Sequence, residues 1–87
     1  MAGPYELDPG QTQYSIPTWA APGFTRVKVT NRTQASGKIS MTAGGSEKEY
    51  DLIPPGIVST FDRSFAGVYL AVTNESEKGI HLTVETE

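Results

Sequence analysis

Three features of the sequence predict an all-β fold. Apolar side chains recur at every second position through most of the chain, with almost no helical spacing. These runs are broken by turn residues, nine glycines and six prolines among 87 residues. The runs also repeat between the two halves of the chain. The expected product is an eight-stranded antiparallel sandwich or flattened barrel. It would be a single domain over residues 1–87, made of two internal repeats of about 40 residues (5–44 and 50–87) with pseudo-twofold symmetry.

The first strand is read at Tyr5–Leu7 and ends at Asp8-Pro9-Gly10. The second (Gln13–Ile16) and its counterpart in the other half (Val58–Phe61) have the weakest pattern. In Thr25–Asn31, Val27 and Val29 point one way and Arg26 and Lys28 the other. Ile39, Met41 and Ala43 then alternate with Ser40 and Thr42, and Gly44-Gly45-Ser46 turns the chain into the second half. Tyr50–Ile53 leads to Pro54-Pro55-Gly56. Val68, Leu70 and Val72 alternate with Tyr69 and Ala71, and Ile80, Leu82 and Val84 with His81, Thr83 and Glu85. The predicted core is Leu7, Val27, Val29, Ile39, Met41, Leu52, Val68, Leu70, Val72, Ile80, Leu82 and Val84.

Four matches in series carry the repeat. Tyr5-Glu6-Leu7-Asp8-Pro9-Gly10 aligns with Tyr50-Asp51-Leu52-Ile53-Pro54-Pro55-Gly56, and Thr18-Trp19-Ala20 with Ser64-Phe65-Ala66. Val29-Thr30-Asn31-Arg32-Thr33 aligns with Val72-Thr73-Asn74-Glu75-Ser76, and Ile39-Ser40-Met41-Thr42 with Ile80-His81-Leu82-Thr83. Each half has one apolar face and is too short to bury it alone, so the halves must pack together.

Composition narrows the chemistry. With no cysteine and one histidine, disulfides, thiolate nucleophiles and a catalytic zinc site are not expected, and neither a metal nor another cofactor is called for. No glycine-rich loop opens a helix to cradle a phosphate. A net charge of −3 argues against nucleic acid as a partner. Residues 1–45 hold four cations against two carboxylates, and residues 46–87 hold three against eight, which reads as ordinary solvated surface ahead of a steering field. No apolar run is long enough for a membrane span. The opening MAGPYELDPG lacks the basic and apolar regions of a signal peptide, so the chain reads as cytoplasmic or as a mature secreted domain.

Several constellations are candidate sites. His81 falls on an outward position and reads as a solvated strand histidine. The alternating carboxylates Glu6/Asp8 and Glu47/Glu49/Asp51 read as charges that protect sheet edges, ahead of a calcium site. Asn31-Arg32-Thr33 and Asn74-Glu75-Ser76 have the form of glycan acceptors, but an asparagine at a strand end is better explained by an Asx-turn. Trp19 lies in a loop stiffened by Pro17 and Pro22, and Phe65 takes its place in the second half. Either the two rings close the ends of the core, or they mark a contact surface. That surface would comprise the loops Ile16–Phe24 and Arg63–Gly67. Trp19, Phe24, Phe65 and Tyr69 would supply apolar area, with Tyr14 extending the patch, and Arg26 or Arg63 hydrogen bonds.

No catalytic set emerges. The expected function is a non-enzymatic recognition or assembly module working through contacts with a protein partner or a second copy of itself. The alternative is a lectin-like domain that binds carbohydrate at aromatic loop sites.

Overall fold

The computed structural model describes residues 2–18, 25–44, 47–63 and 67–86. It has eight strands: β1 Ala2–Leu7, β2 Thr12–Ile16, β3 Thr25–Asn31, β4 Gly37–Ala43, β5 Glu49–Ile53, β6 Val58–Arg63, β7 Leu70–Asn74 and β8 Leu82–Thr86. They form two antiparallel four-stranded sheets, ordered β1-β8-β3-β6 and β2-β7-β4-β5. The all-β sandwich expected from the alternation is therefore the observed architecture.

The two sheet orders are related. Exchanging each strand for the one four places away turns β1-β8-β3-β6 into β5-β4-β7-β2, which is the second sheet read backwards. Each sheet takes two strands from each half of the chain, so neither half is a layer by itself.

The core lies between the sheets. Leu7, Ile16, Val27, Val29, Ile39, Met41, Ile53, Leu70, Val72, Ile80, Leu82 and Val84 form one buried apolar cluster, with Tyr5, Ala43 and Phe61 packed against it. The alternation is clean in β3, β7 and β8, which run through sheet interiors, because one face of each strand meets the opposite sheet.

Two predicted core residues are outside. Leu52 is 73% exposed, and Ile53 is buried in its place. The β4–β5 register sets Glu49, Asp51 and Ile53 opposite Met41, Ile39 and Gly37, so the odd-numbered side chains face inward. The extra proline in Pro54-Pro55-Gly56 shifts the match by one: counted back from the Pro-Gly turn, Ile53 and not Leu52 corresponds to Leu7. Val68 is 42% exposed because β7 begins only at Leu70; its parity is right, but it lies beyond the end of the pairing. Ile16, absent from the predicted core, is fully buried.

Candidate functional site

The predicted Asx-turns are present and do more than turn the chain. At the end of β3 the Asn31 Oδ1 accepts from the backbone N–H of Thr33 at 3.0 Å and from the Thr33 hydroxyl. Its Nδ2 donates to the carbonyls of Ala35 and Ile53, at 2.8 and 3.1 Å. Asn74, at the end of β7, accepts from the Ser76 N–H at 3.0 Å and donates to the carbonyls of Leu7 and Ile80, at 2.9 and 2.8 Å. Both asparagines are fully buried and both amide hydrogens are used, so these sequons are structural. The Ser76 hydroxyl goes elsewhere, accepting from Lys38 N at 2.9 Å and donating to Lys38 O.

Of the residues predicted for the contact surface, Trp19, Phe24 and Phe65 lie outside the described residues. The other three separate into two regions. Arg26, on β3, reaches across to β6, the outer strand of its sheet, and Arg63 is the last residue of β6. Arg26 forms a two-pronged pair with Asp62, Nε to Oδ1 at 2.9 Å and Nη2 to Oδ2 at 3.4 Å. Arg63 turns inward and reaches the other sheet, donating to Glu49 Oε2 at 3.0 Å and Asp51 Oδ1 at 3.1 Å. Its guanidinium also lies over the Phe61 ring, 5.2 Å from the centroid. The two arginines thus hold β3, β6 and β5 together. Of the two carboxylates read as outward edge charges, Glu49 stays exposed at the end of β5 while Asp51 turns inward; an inward charge is another known way of guarding an edge strand.

The four outer strands are not equally protected. β1 has a register shift between Ala2 and Tyr5, and β2 one between Gln13 and Ile16, where Ser15 takes a φ of 58°. β5 carries the inward carboxylate of Asp51. β6 pairs with β3 through six successive residues without a shift. The Asn31 carbonyl accepts from Gly56 at 2.9 Å, which fixes the phase of this ladder. Ser59, Phe61 and Arg63 bond toward β3, and the backbone groups of Val58, Thr60 and Asp62 are directed away from it. Ile57 and Val58 at the start of this strand, and Tyr50 and Leu52 on β5, are exposed.

Tyr69 belongs to the second region, a groove of about 580 Å³ on the outer face of β2, β7 and β4. Its floor is short-chained: Thr73 stands beside Thr12, and Ala71 beside Thr42. The Thr12 and Thr73 hydroxyls are 2.7 Å apart. Tyr14 and Tyr69 line the groove and are 69% and 67% exposed, and Lys48 contributes the one ammonium. The β2 bulge puts Tyr14 and Ser15 in the stretch facing Ala71, so both lie outside while Gln13 and Ile16 keep their pairs. The Thr18 hydroxyl donates to the Val68 carbonyl, next to Tyr69. Alternation marked Tyr14 and Tyr69 as outward-facing; the bulge and the threonine floor had no local signal.

His81 is exposed as expected, but not merely solvated: its Nδ1 lies 2.7 Å from Asp8 Oδ1, beside Glu6, Arg32 and Thr83 in a shallow depression. Among the described residues, no three histidine, aspartate or glutamate side chains are grouped to hold a metal.

The sequence signature of a family of unknown function (DUF8244) matches residues 5–87. The chain belongs to that family. Two uncharacterized proteins of Dictyostelium discoideum are each 40% identical to this DUF8244 domain over 74 residues, covering 85% of this chain and 87% of theirs. Among solved structures, Drosophila melanogaster CENP-C bound to CAL1 is similar at a TM-score of 0.47 and 16% identity, over 94% of this chain and 60% of that one. The Drosophila melanogaster CENP-C cupin domain is similar at 0.46 and 17%, over 94% and 56%. The DUF8244 domain thus spans less than two thirds of those solved chains.

Proposed function

We propose that this domain is a non-enzymatic recognition or assembly module that works through protein contacts, and that β6 is the strand it offers. The observation that carries this reading is the regular ladder from Val58 to Arg63 on the outer edge of its sheet. The other three edges carry a register shift or an inward carboxylate, the usual means of refusing an incoming strand. β6 carries one inward charge, Arg63, at its end and already held by Glu49 and Asp51. An extended segment of a partner protein would add to the sheet by main-chain hydrogen bonds to Val58, Thr60 and Asp62, and exposed Val58 and Ile57 would supply apolar area.

Peptides selected from a random library for binding to the domain test this. They are expected to shift the backbone amides of Val58, Thr60 and Asp62 in nitrogen–proton correlation spectra. Thr60→Pro removes a donor that faces away from β3 and is expected to abolish that binding while the domain stays folded. Selected peptides that shift only other surfaces, or that bind folded Thr60→Pro unchanged, overturn the reading. Self-pairing through the same strand would appear as a mass that doubles with concentration and returns to that of a monomer in Thr60→Pro.

A further inference from the structure

We infer that the groove between Tyr14 and Tyr69 is a binding site for a short oligosaccharide, separate from the β6 edge. Its volume, about 580 Å³, lies within the roughly 300–1,000 Å³ of small-ligand sites. Its composition matches the two surfaces of a sugar ring. The C–H faces of a pyranose are apolar and pack on aromatic rings, and Tyr14 and Tyr69 present rings that the fold leaves about two-thirds exposed. The rim of a pyranose is a row of hydroxyls, each both donor and acceptor. The floor answers with groups of the same kind.

The Thr12–Thr73 pair uses one hydroxyl hydrogen and one lone pair between them. One O–H and three lone pairs remain for a ligand, and Thr42 adds another hydroxyl beside them. Ala71, between these threonines, keeps the floor low enough for a ring to sit on it. Among the described residues no carboxylate lines the groove, and Lys48 adds N–H donors at one side.

The bulge in β2 favours a purpose for this surface. Regular pairing would turn Tyr14 and Ser15 to opposite faces; the bulge leaves both on the groove while Ile16 returns to the core. The edge of β2 is guarded by the same irregularity, so a protein strand is the poorer occupant here.

The test is a titration of the folded domain with neutral trisaccharides of β1,4-linked glucose, β1,4-linked N-acetylglucosamine, β1,4-linked mannose and α1,4-linked glucose, and with a uronic-acid trisaccharide, followed by correlation spectra. At least one sugar is expected to shift the amides of Thr12, Thr42, Ala71 and Thr73. Tyr14→Ala and Tyr69→Ala should each weaken it about tenfold, and the phenylalanine variants should retain most of the affinity. Binding confined to the uronic acid and lost in Lys48→Ala would identify an ion-pair site and overturn stacking. Sugars that leave these amides unmoved at millimolar concentration, or that bind both alanine variants unchanged, overturn the site altogether. None of these outcomes bears on Thr60→Pro, so the groove and the β6 edge stand or fall separately.

Discussion

Asn31 and Asn74 are matching cross-sheet staples. Asn31, on a strand of one sheet, donates its amide to the carbonyl of Ile53 in the other; Asn74 donates to the carbonyl of Leu7 in the reverse direction. The backbone repeats the relationship, with Gly56 N–H donating to the Asn31 carbonyl and Gly10 N–H to the Asn74 carbonyl, at 2.9 and 2.7 Å. Each staple ties the end of an interior strand to the turn that follows the first strand of the opposite half.

Replacing either asparagine by alanine removes two donors: Asn74→Ala takes the buried bonds to the Leu7 and Ile80 carbonyls, and Asn31→Ala takes the buried Ile53 bond, while the Ala35 carbonyl still has the Thr33 hydroxyl. Each variant is expected to lose about 1–3 kcal/mol, and the two losses should be similar, because the bonding sets correspond. Urea denaturation of both variants measures this. A large loss in one and none in the other would show that the staples carry unequal load.

Strand phase has its own test. Leu70→Ala and Leu82→Ala empty fully buried positions and should cost about 2–5 kcal/mol each. Leu52→Ala, at an exposed site, should shift stability by no more than about 0.5 kcal/mol. Their denaturation midpoints separate the faces of β5 and β7.

The Arg63 clasp gathers two carboxylates around one partly exposed guanidinium, whose side chain is 28% accessible. Asp51 Oδ2 is buried without a hydrogen-bond partner among the described residues, so the carboxylate depends on its other oxygen. Arg63→Gln should cost more than the ~0.2–1 kcal/mol of an exposed pair and less than the ~3–5 kcal/mol of a fully buried one. Asp51→Asn in the same chain should recover part of the loss, and a double-mutant cycle reads the coupling.

The β6 ladder predicts a pattern in hydrogen exchange. The amides of Ser59, Phe61 and Arg63 bond to β3 and should be protected; those of Val58, Thr60 and Asp62 should exchange much faster. Uniform protection along β6 would mean that this edge is already occupied.

How far the sequence led can be traced through particular residues. Period-two alternation was enough to place β3, β7 and β8, whose burial patterns alternate without a break. It gave the wrong face at β5, where the extra proline displaces the match by one residue, and only a weak pattern at β6, which is nonetheless a strand. Leu52 and Val58 stay in water while Asp51 and Arg63 turn inward. The ends of strands were misjudged at Val68 for a different reason: alternation gives a face and not the point at which pairing stops. At the sites, residue type showed that Arg26, Arg63 and Tyr69 were capable of contact. Whether an arginine is free or held depends on which strand lies beside it. That is a property of topology, and β6 and β5 supplied the partners from distant parts of the chain.

The interleaved strand order has a consequence for how the chain is made. Of the six paired neighbours, only β4 and β5 follow one another in sequence; every other pairing closes a long loop. β8 sits between β1 and β3, so β1 has no sheet to join until Leu82–Thr86 has been made and is free to pair. Such a chain folds late and slowly for its size, since the entropy of long loops is lost before distant pairings repay it. A nascent copy stalled before Leu82 would hold β1 unpaired and the apolar faces of both halves open, and it is at that moment that a chaperone would find a client.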